Sequence, residues 1–352
     1  MKTLKTLLLL TILISGLVMA QTVRPIRDNV GFCWKANEMN KLIDYLSGHN
    51  KITAIGSDNL IAAISPHDDY LYAGNIYYTL YPHIKTKEVV IFGVTHGTVR
   101  KAMNDPKDVL IFDDYKEWAG PYGNVMISPL RDFIKNKLDK NYMMVSDRAQ
   151  DVEHSIEAVV PFLQYYNRDI KITPILVTAM SYERMEKISK QISDIIMEYI
   201  KENNLQLGKD IFFLISTDAN HYGKDFDNAP YGEDESAHRQ ATDRDKEIGN
   251  SVFNGEMNMK KVREVAEDFW PELKVNKNCP LWCGRYPIPF GLMTTINVVN
   301  EISGKKIEGK FLGYSDSWTE GVIPIYHTNM GLTAPFSLKH WVGYAAAGFY
   351  QE

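Results

Sequence analysis

The sequence predicts an α/β layered fold with a central, mostly parallel or mixed sheet, and three observations predict it. Apolar, β-branched runs recur along the chain. Each is continuous rather than alternating, which is how strands buried on both faces read. Amphipathic stretches with apolar residues at helical spacing lie between them, the alternation expected of helices packed on a sheet.

Taken in order, LIAAIS at 60–65 is a buried strand that stops at Pro66, a residue with no N–H for the ladder. EVVIFGV at 88–94, DVLIFD at 108–113 and YMMVSD at 142–147 follow as further strands. Residues 154–165 predict a helix that opens on Asp151-Val152-Glu153-His154-Ser155-Ile156-Glu157, acidic in its first turn as the helix dipole favours. KITPILVTA at 171–179 is a strand, 182–203 a long amphipathic helix, and DIFFLIS at 210–216 another strand. From 230 to 282 the chain is more polar and rich in helix formers, and CGRYPIPFG leads into an apolar helix at 290–303. EGKFLGYSDS and WVGYAAAGFY read as closing strands that return to the sheet.

With no Gly/Ser/Pro-rich linker, repeat or low-complexity segment, residues 21–352 are expected to form one domain, with a split near 230 as the alternative. The first twenty residues, MKTLKTLLLLTILISGLVMA, set two lysines before an apolar stretch and end in small residues, the layout of a cleavable signal peptide, with an uncleaved membrane anchor as the alternative. A cut after Ala20 predicts a secreted or periplasmic chain, with no later segment of membrane-spanning length. A net charge of −5 without a basic, aromatic-interleaved stripe argues against nucleic acid. The three cysteines, Cys33, Cys279 and Cys283, are an odd number, so in an oxidising compartment at least one is free, metal-bound or paired between chains.

Three strand runs release a histidine into the loop that follows: His67 after LIAAIS, His96 after EVVIFGV, and His221, with Asp218, after DIFFLIS. If those strands are parallel, their carboxyl ends share one crevice, where open α/β sheets bind ligands. Imidazoles paired with an anionic ligand hold zinc, copper or iron with positions left open. Cys283 is a candidate for that ligand, since CGR opens a turn before a helix, a setting that lowers a thiol pKa; a disulfide with Cys279 or Cys33 is the alternative. His221 with Asp218 is the candidate for proton transfer, the other reading being that Asp218 caps a turn. His154 and Glu157, three apart, are candidates to orient a ligand from behind, or simply cap the helix. No GxSxG elbow, phosphate-cradling loop, HExxH helix or dinucleotide fingerprint is present.

SPHDDYLYAG at 65–74, VVIFGVTHG at 89–97, EWAGPYGNV at 117–125, DVEHSIEAVVPFLQ at 151–164, ISTDANHYG at 215–223 and CGRYPI at 283–288 together resemble the Memo family, the family of AmmeMemoRadiSam system protein B. VRPIRDNVGFCW at 23–34 and WVGYAAAGF at 341–349 resemble its ends, so the likeness runs in order over almost the whole mature chain. It implies a class III extradiol dioxygenase-like fold, a three-layer α/β/α sandwich with a non-haem metal pocket. It also implies that His67, His96 and Cys283 hold a redox metal, iron or copper, and that His221 is the acid-base histidine. Asp68 and Asp69 stand where that family usually has small residues, adding negative charge at the pocket lip. The functions expected are a metal-dependent oxidoreductase of dioxygenase-like type or a non-catalytic peptide- or metal-binding protein on the same scaffold, with a zinc-dependent hydrolase, in which the metal activates water, as a third alternative. Its partner in each case is a small molecule or peptide.

Overall fold

The computed structural model describes residues 22–49, 59–270 and 281–352. The expected signal segment and Cys279 lie outside them. In chain order the strands are β1 (Val23–Arg24), β2 (Leu60–Ser65), β3 (Glu88–Val94), β4 (Leu110–Phe112), β5 (Glu117–Trp118), β6 (Val125–Ile127) and β7 (Met143–Val145). They continue with β8 (Lys171–Val177), β9 (Ile211–Ser216), β10 (His221–Tyr222), β11 (Gly255–Met257), β12 (Ile307–Asp316) and β13 (Trp341–Gln351). The helices are α1 (Ala36–His49), α2 (Tyr70–Tyr78), α3 (Gly97–Ala102), α4 (Pro129–Lys137), α5 (Asp147–Asp151) and α6 (Val160–Tyr166). After these come α7 (Tyr182–Glu202), α8 (Glu235–Phe253), α9 (Met259–Phe269), α10 (Pro287–Ile302) and α11 (Ser317–Glu320).

One mixed sheet orders its strands β1-β5-β6-β8-β3-β9-β2-β13-β12-β11. Its centre, β6-β8-β3-β9-β2, is parallel throughout, and β13 and β12 join antiparallel beside β2. Every residue of β2 and β9 is buried, as continuous apolar runs require. Pro174 sits inside β8 without breaking it, because β6 pairs only as far as Ile172 and β4 begins at Leu176, leaving its missing N–H in the gap.

Alternate residues of the strands feed two cores. Val90, Phe92, Ile175 and Phe213 pack on one face with α4, α7, α9 and α10, and Val89, Ile91, Leu176 and Leu214 on the other with α1, α2 and α6. Helices thus cover both faces of the sheet, giving the three-layer α/β sandwich. Each fully buried Ile or Phe contributes about 1.5–3 kcal/mol, and the two cores share that gain across the sheet.

One expected element is corrected. Residues 154–165 do not begin a helix at Asp151: that residue closes α5, His154 and Ser155 lie in a turn, and helical structure starts with a short 3-10 turn at Glu157–Val159 before α6. Both backbone N–H groups that would open the helix, those of His154 and Ser155, donate instead to the Glu153 carboxylate at 2.9 Å. Pro161, which suits a helical first turn, sits in the first turn of α6.

Candidate metal centre

The strands that precede the three histidine loops are neighbours, in the order β3-β9-β2 and all parallel, so their carboxyl ends converge. His67 follows β2 and Pro66 and stands just before α2; its ring is fully buried. His96 caps the amino end of α3. Asp218 follows β9, and His221 opens β10, which pairs with Val342 and Trp341 of β13. Cys283 arrives from the other end of the chain: Trp282 bridges to Asn220, and the N–H of His221 donates to Leu281 O at 3.1 Å. Gly284 makes this approach possible, since a Cβ there would lie 2.0 Å from Thr217 Oγ1 and 2.3 Å from Thr217 Cβ.

The hydrogen bonds decide which ring nitrogen of each histidine is free. Ser216 Oγ donates its proton to Ser155 O at 2.5 Å, so at 3.0 Å from His67 Nδ1 it accepts. His67 therefore carries its proton on Nδ1 and turns a lone pair on Nε2 toward Cys283 Sγ, 3.4 Å away. His96 Nδ1 donates to Glu153 Oε1 at 2.7 Å, which leaves its Nε2 lone pair free as well. The Glu153 carboxylate takes four N–H groups in all, from the His96 ring and the backbones of His96, His154 and Ser155. Burial raises its pKa, but His96 overrides burial and holds the carboxyl far below its ordinary range.

Among the described residues, three sets of side chains bring their ligand atoms within 4.8 Å of one another: His67-His96-Cys283, His96-Glu153-His154 and Asp218-His221-Cys283. The second is already closed on itself, since His96 Nδ1 and Glu153 are bonded to each other. The first offers two imidazole lone pairs and a sulfur, a donor set that suits zinc, copper or iron. Burial lowers the His67 pKa well below the ordinary range, helped by His96 and His154, so its ring is neutral and able to donate a lone pair. The turn before α10 does not activate the thiol as expected: burial, then the Asp218 carboxyl, push Cys283 well above the ordinary thiol range. Nor is the sulfur in a disulfide. Cys283 and Cys33 are both free, and Cys33 is packed in the core beneath α1 and α2.

Asp218 is more than a turn cap. Its Oδ1 accepts the His67 backbone N–H at 2.8 Å, while Oδ2 lies 3.4 Å from His67 Nε2 and 3.9 Å from His221 Nε2. Among the described residues the His221 Nε2 is buried with no hydrogen-bond partner, which leaves it open to a group that enters the cavity. Burial, with His96 and His154, pulls His221 down to about 3, and burial with His96 pulls His154 down to about 4. His154 stacks on His96 with ring centroids 4.6 Å apart, so it flanks the centre. Glu157 does not flank it: its carboxylate pairs with Arg24 at 3.0 Å and accepts the Arg27 N–H at 2.6 Å, tying down the amino-terminal segment. Asp68 and Asp69 both line the pocket beside Asp218 and Tyr344, and Asp69 also accepts the N–H of Thr333 at 2.6 Å and so anchors that loop.

Two cavities flank the centre and share His221 and Phe226 as a wall. One, of about 210 Å³, lies on the side of His96 and Cys283; the other, of about 230 Å³, lies on the side of the aspartates. Behind Cys283, Asp245 is fully buried and accepts Trp282 Nε1 at 2.9 Å and Tyr314 Oη at 2.8 Å. Burial pushes Asp245 up to about 7 despite those bonds. A carboxyl raised on folding stabilises the native chain at acid pH and loses that contribution as pH rises through 7. Asp245→Asn should therefore gain on the parent by about 2–3 kcal/mol between pH 5 and pH 8, read as urea midpoints. A difference that does not change with pH would contradict the assignment.

The fold and the site together define a class: an α/β sandwich that gathers histidines and a cysteine at the carboxyl ends of adjacent parallel strands. A family profile described as Memo-like protein matches residues 32–322, and the chain belongs to the Memo family. A MEMO1 family protein of Aquifex aeolicus is 35% identical over 188 residues, 53% of this chain and 62% of that relative. MEMO1 family proteins of Pyrobaculum arsenaticum and Saccharolobus islandicus are 27% and 31% identical over 172 and 173 residues, each match covering 47% of this chain and 54% of the relative. The chain thus spans between half and two thirds of the length of these curated relatives. Among the described residues no helix is long and apolar enough to cross a membrane.

Two groups that matter here carried little signal in the sequence. Glu153 stands beside His154 in the chain, but a carboxylate in a helical first turn has an ordinary explanation as a cap. Ser216, which fixes the His67 ring, is one more residue of a buried strand.

Proposed function

We propose that this chain is an exported, metal-dependent oxidoreductase of dioxygenase-like type, with iron or copper held by His67, His96 and Cys283. Zinc suits the same donors. The observation that carries the reading is the direction of the lone pairs: Ser216 and Glu153 each occupy the Nδ1 of one histidine, so both Nε2 atoms remain for a shared ion beside Cys283 Sγ. Once bound, such an ion supplies a Lewis acid and a redox centre at the cavity wall.

The chain's own residues do the rest. Neutral His221, with its unpartnered Nε2 between the two cavities, accepts a proton from a substrate held there, and Asp218 Oδ2 at 3.9 Å steadies the imidazolium that forms. Glu153 keeps the His96 ring fixed, and Phe226, Trp282 and Val177 exclude water from the reacting end of the cavity. Export rests on the lysine-led apolar segment that ends at Ala20.

The test is metal content, turnover and intact mass of the full chain expressed with its first twenty residues. The exported chain should begin at Gln21, and recovery of an uncleaved chain would refute the signal reading. His67→Ala and Cys283→Ser should lower bound metal at least tenfold, while His221→Ala keeps the metal and loses oxygen uptake with a catechol and reductant. Full metal in both ligand variants would sink the centre, and undiminished uptake in His221→Ala would sink the acid-base role.

A further inference from the structure

Arginine in the described chain follows a pattern with one departure. The other buried or half-buried arginines each donate to an oxygen: Arg24 to Glu157, Arg131 to Asp113, Arg184 to Asp108 O, Arg244 to Glu247 and Arg263 to Glu267. Arg285 is half-buried too, yet among the described residues its guanidinium meets no acceptor and only stands 5.9 Å from the Tyr286 ring. A guanidinium that loses water without gaining an acceptor is costly, which is why such groups sit where a ligand supplies one.

The place is specific. Arg285 lines the cavity that contains His96, His221 and Cys283, and so does Arg100, whose guanidinium lies over Gly97 one residue past His96, 3.8 Å from where a Cβ there would be. Arg100 also lacks an ion pair among the described residues. No aspartate or glutamate lines this cavity, whereas Asp68, Asp69 and Asp218 line the one across the His221 wall. The centre therefore lies between a cationic compartment and an acidic one, in a chain of net charge −5. An anion is drawn to the first. Phe226, Trp282 and Tyr286 add flat aromatic walls, and about 210 Å³ leaves room for a small body only.

We propose that Arg100 and Arg285 bind the carboxylate of a small planar organic acid, directing the rest of that molecule between the aromatic walls toward Cys283 and His96. The proposal names the substrate class for the centre described above and rests on this cavity being its substrate cavity. Guanidinium groups suit the task because their paired N–H donors match the two oxygens of a carboxylate.

The probe is benzoate, with the uncharged isostere benzamide beside it, titrated calorimetrically into the full chain after chelator treatment and again after metal loading. Benzoate should bind at least tenfold more tightly than benzamide in both states. Arg100→Gln and Arg285→Gln should each weaken benzoate at least tenfold, with bound metal and melting temperature unchanged. Arg100 is exposed, so Arg100→Gln carries the test by itself if Arg285→Gln does not fold. Equal binding of acid and amide, or benzoate affinity indifferent to the arginines, would overturn the proposal. Arginine-dependent benzoate binding in the chelated chain together with full metal retention in the ligand variants would instead refute the metal centre and leave the anion site standing.

Discussion

Replacing Glu153 by alanine is expected to remove about 3–5 kcal/mol of stability, the range for breaking a buried, charged hydrogen-bond network, and to weaken metal binding 10–100-fold, as loss of an orienting carboxylate does. Four N–H groups lose their acceptor together, and the His96 ring is freed to rotate or to change tautomer. Glu153→Gln keeps the volume but presents an NH₂ to groups that are themselves donors, so it recovers part of the stability and little of the affinity. The effect depends on pH in a defined sense. The folded-state pKa of Glu153 is depressed, so its contribution is present above the ordinary carboxyl value of about 4.3 and disappears as pH falls below it. Urea midpoints of parent and Glu153→Gln should therefore converge toward acid. Parallel curves down to pH 3, or unchanged metal affinity in the alanine variant, would show that the carboxylate does not hold this site.

Gly284→Ala is the second large effect. A methyl group there meets the Thr217 side chain at its Oγ1 and Cβ, the rigid root of the residue, so no rotamer relieves the contact. Either the turn that carries Cys283 or the loop after β9 has to move, at a cost of about 3 kcal/mol. Because Cys283 Sγ accepts the Asp218 N–H at 3.0 Å, the shift separates the sulfur from that bond and from His67. Metal titration should show at least a tenfold loss, alongside the drop in stability. A variant as stable and as metal-competent as the parent would mean that the close approach of the two loops is dispensable.

The strands were legible because burial on both faces leaves an unbroken apolar run, as in LIAAIS and DIFFLIS, and the histidines because each stands where such a run ends. His67, His96 and His221 converge because β2, β3 and β9 turned out parallel and adjacent. Residues 154–165 misled for a physical reason: an acidic, amphipathic stretch reads as a helix start, but Glu153 draws the N–H groups of His154 and Ser155 to itself and delays the helix to Glu157. Glu157 has helical spacing from His154 and yet serves Arg24, a partner more than a hundred residues away that local spacing does not reveal. The thiol of Cys283 was expected to be activated by a following helix; burial beside Asp218 dominates instead, a tertiary fact with no trace in CGR. Asp68 and Asp69 look equivalent in sequence, and only the bond from the Thr333 loop gives Asp69 an anchoring role that Asp68 lacks.

The contact between His67 and Cys283 joins positions 216 residues apart, at 3.4 Å, across strands laid down first and a segment laid down near the end of the chain. No local stretch of this polypeptide contains the donor set, so an extended chain has nothing comparable to offer an ion. Occupancy and folding are then two readings of one equilibrium: whatever is held there favours the native state by RT ln(1 + [L]/Kd), about 4 kcal/mol at a thousandfold excess over Kd. Under the proposed metal centre, scarcity of the ion would be felt by the entire sheet rather than by the pocket alone.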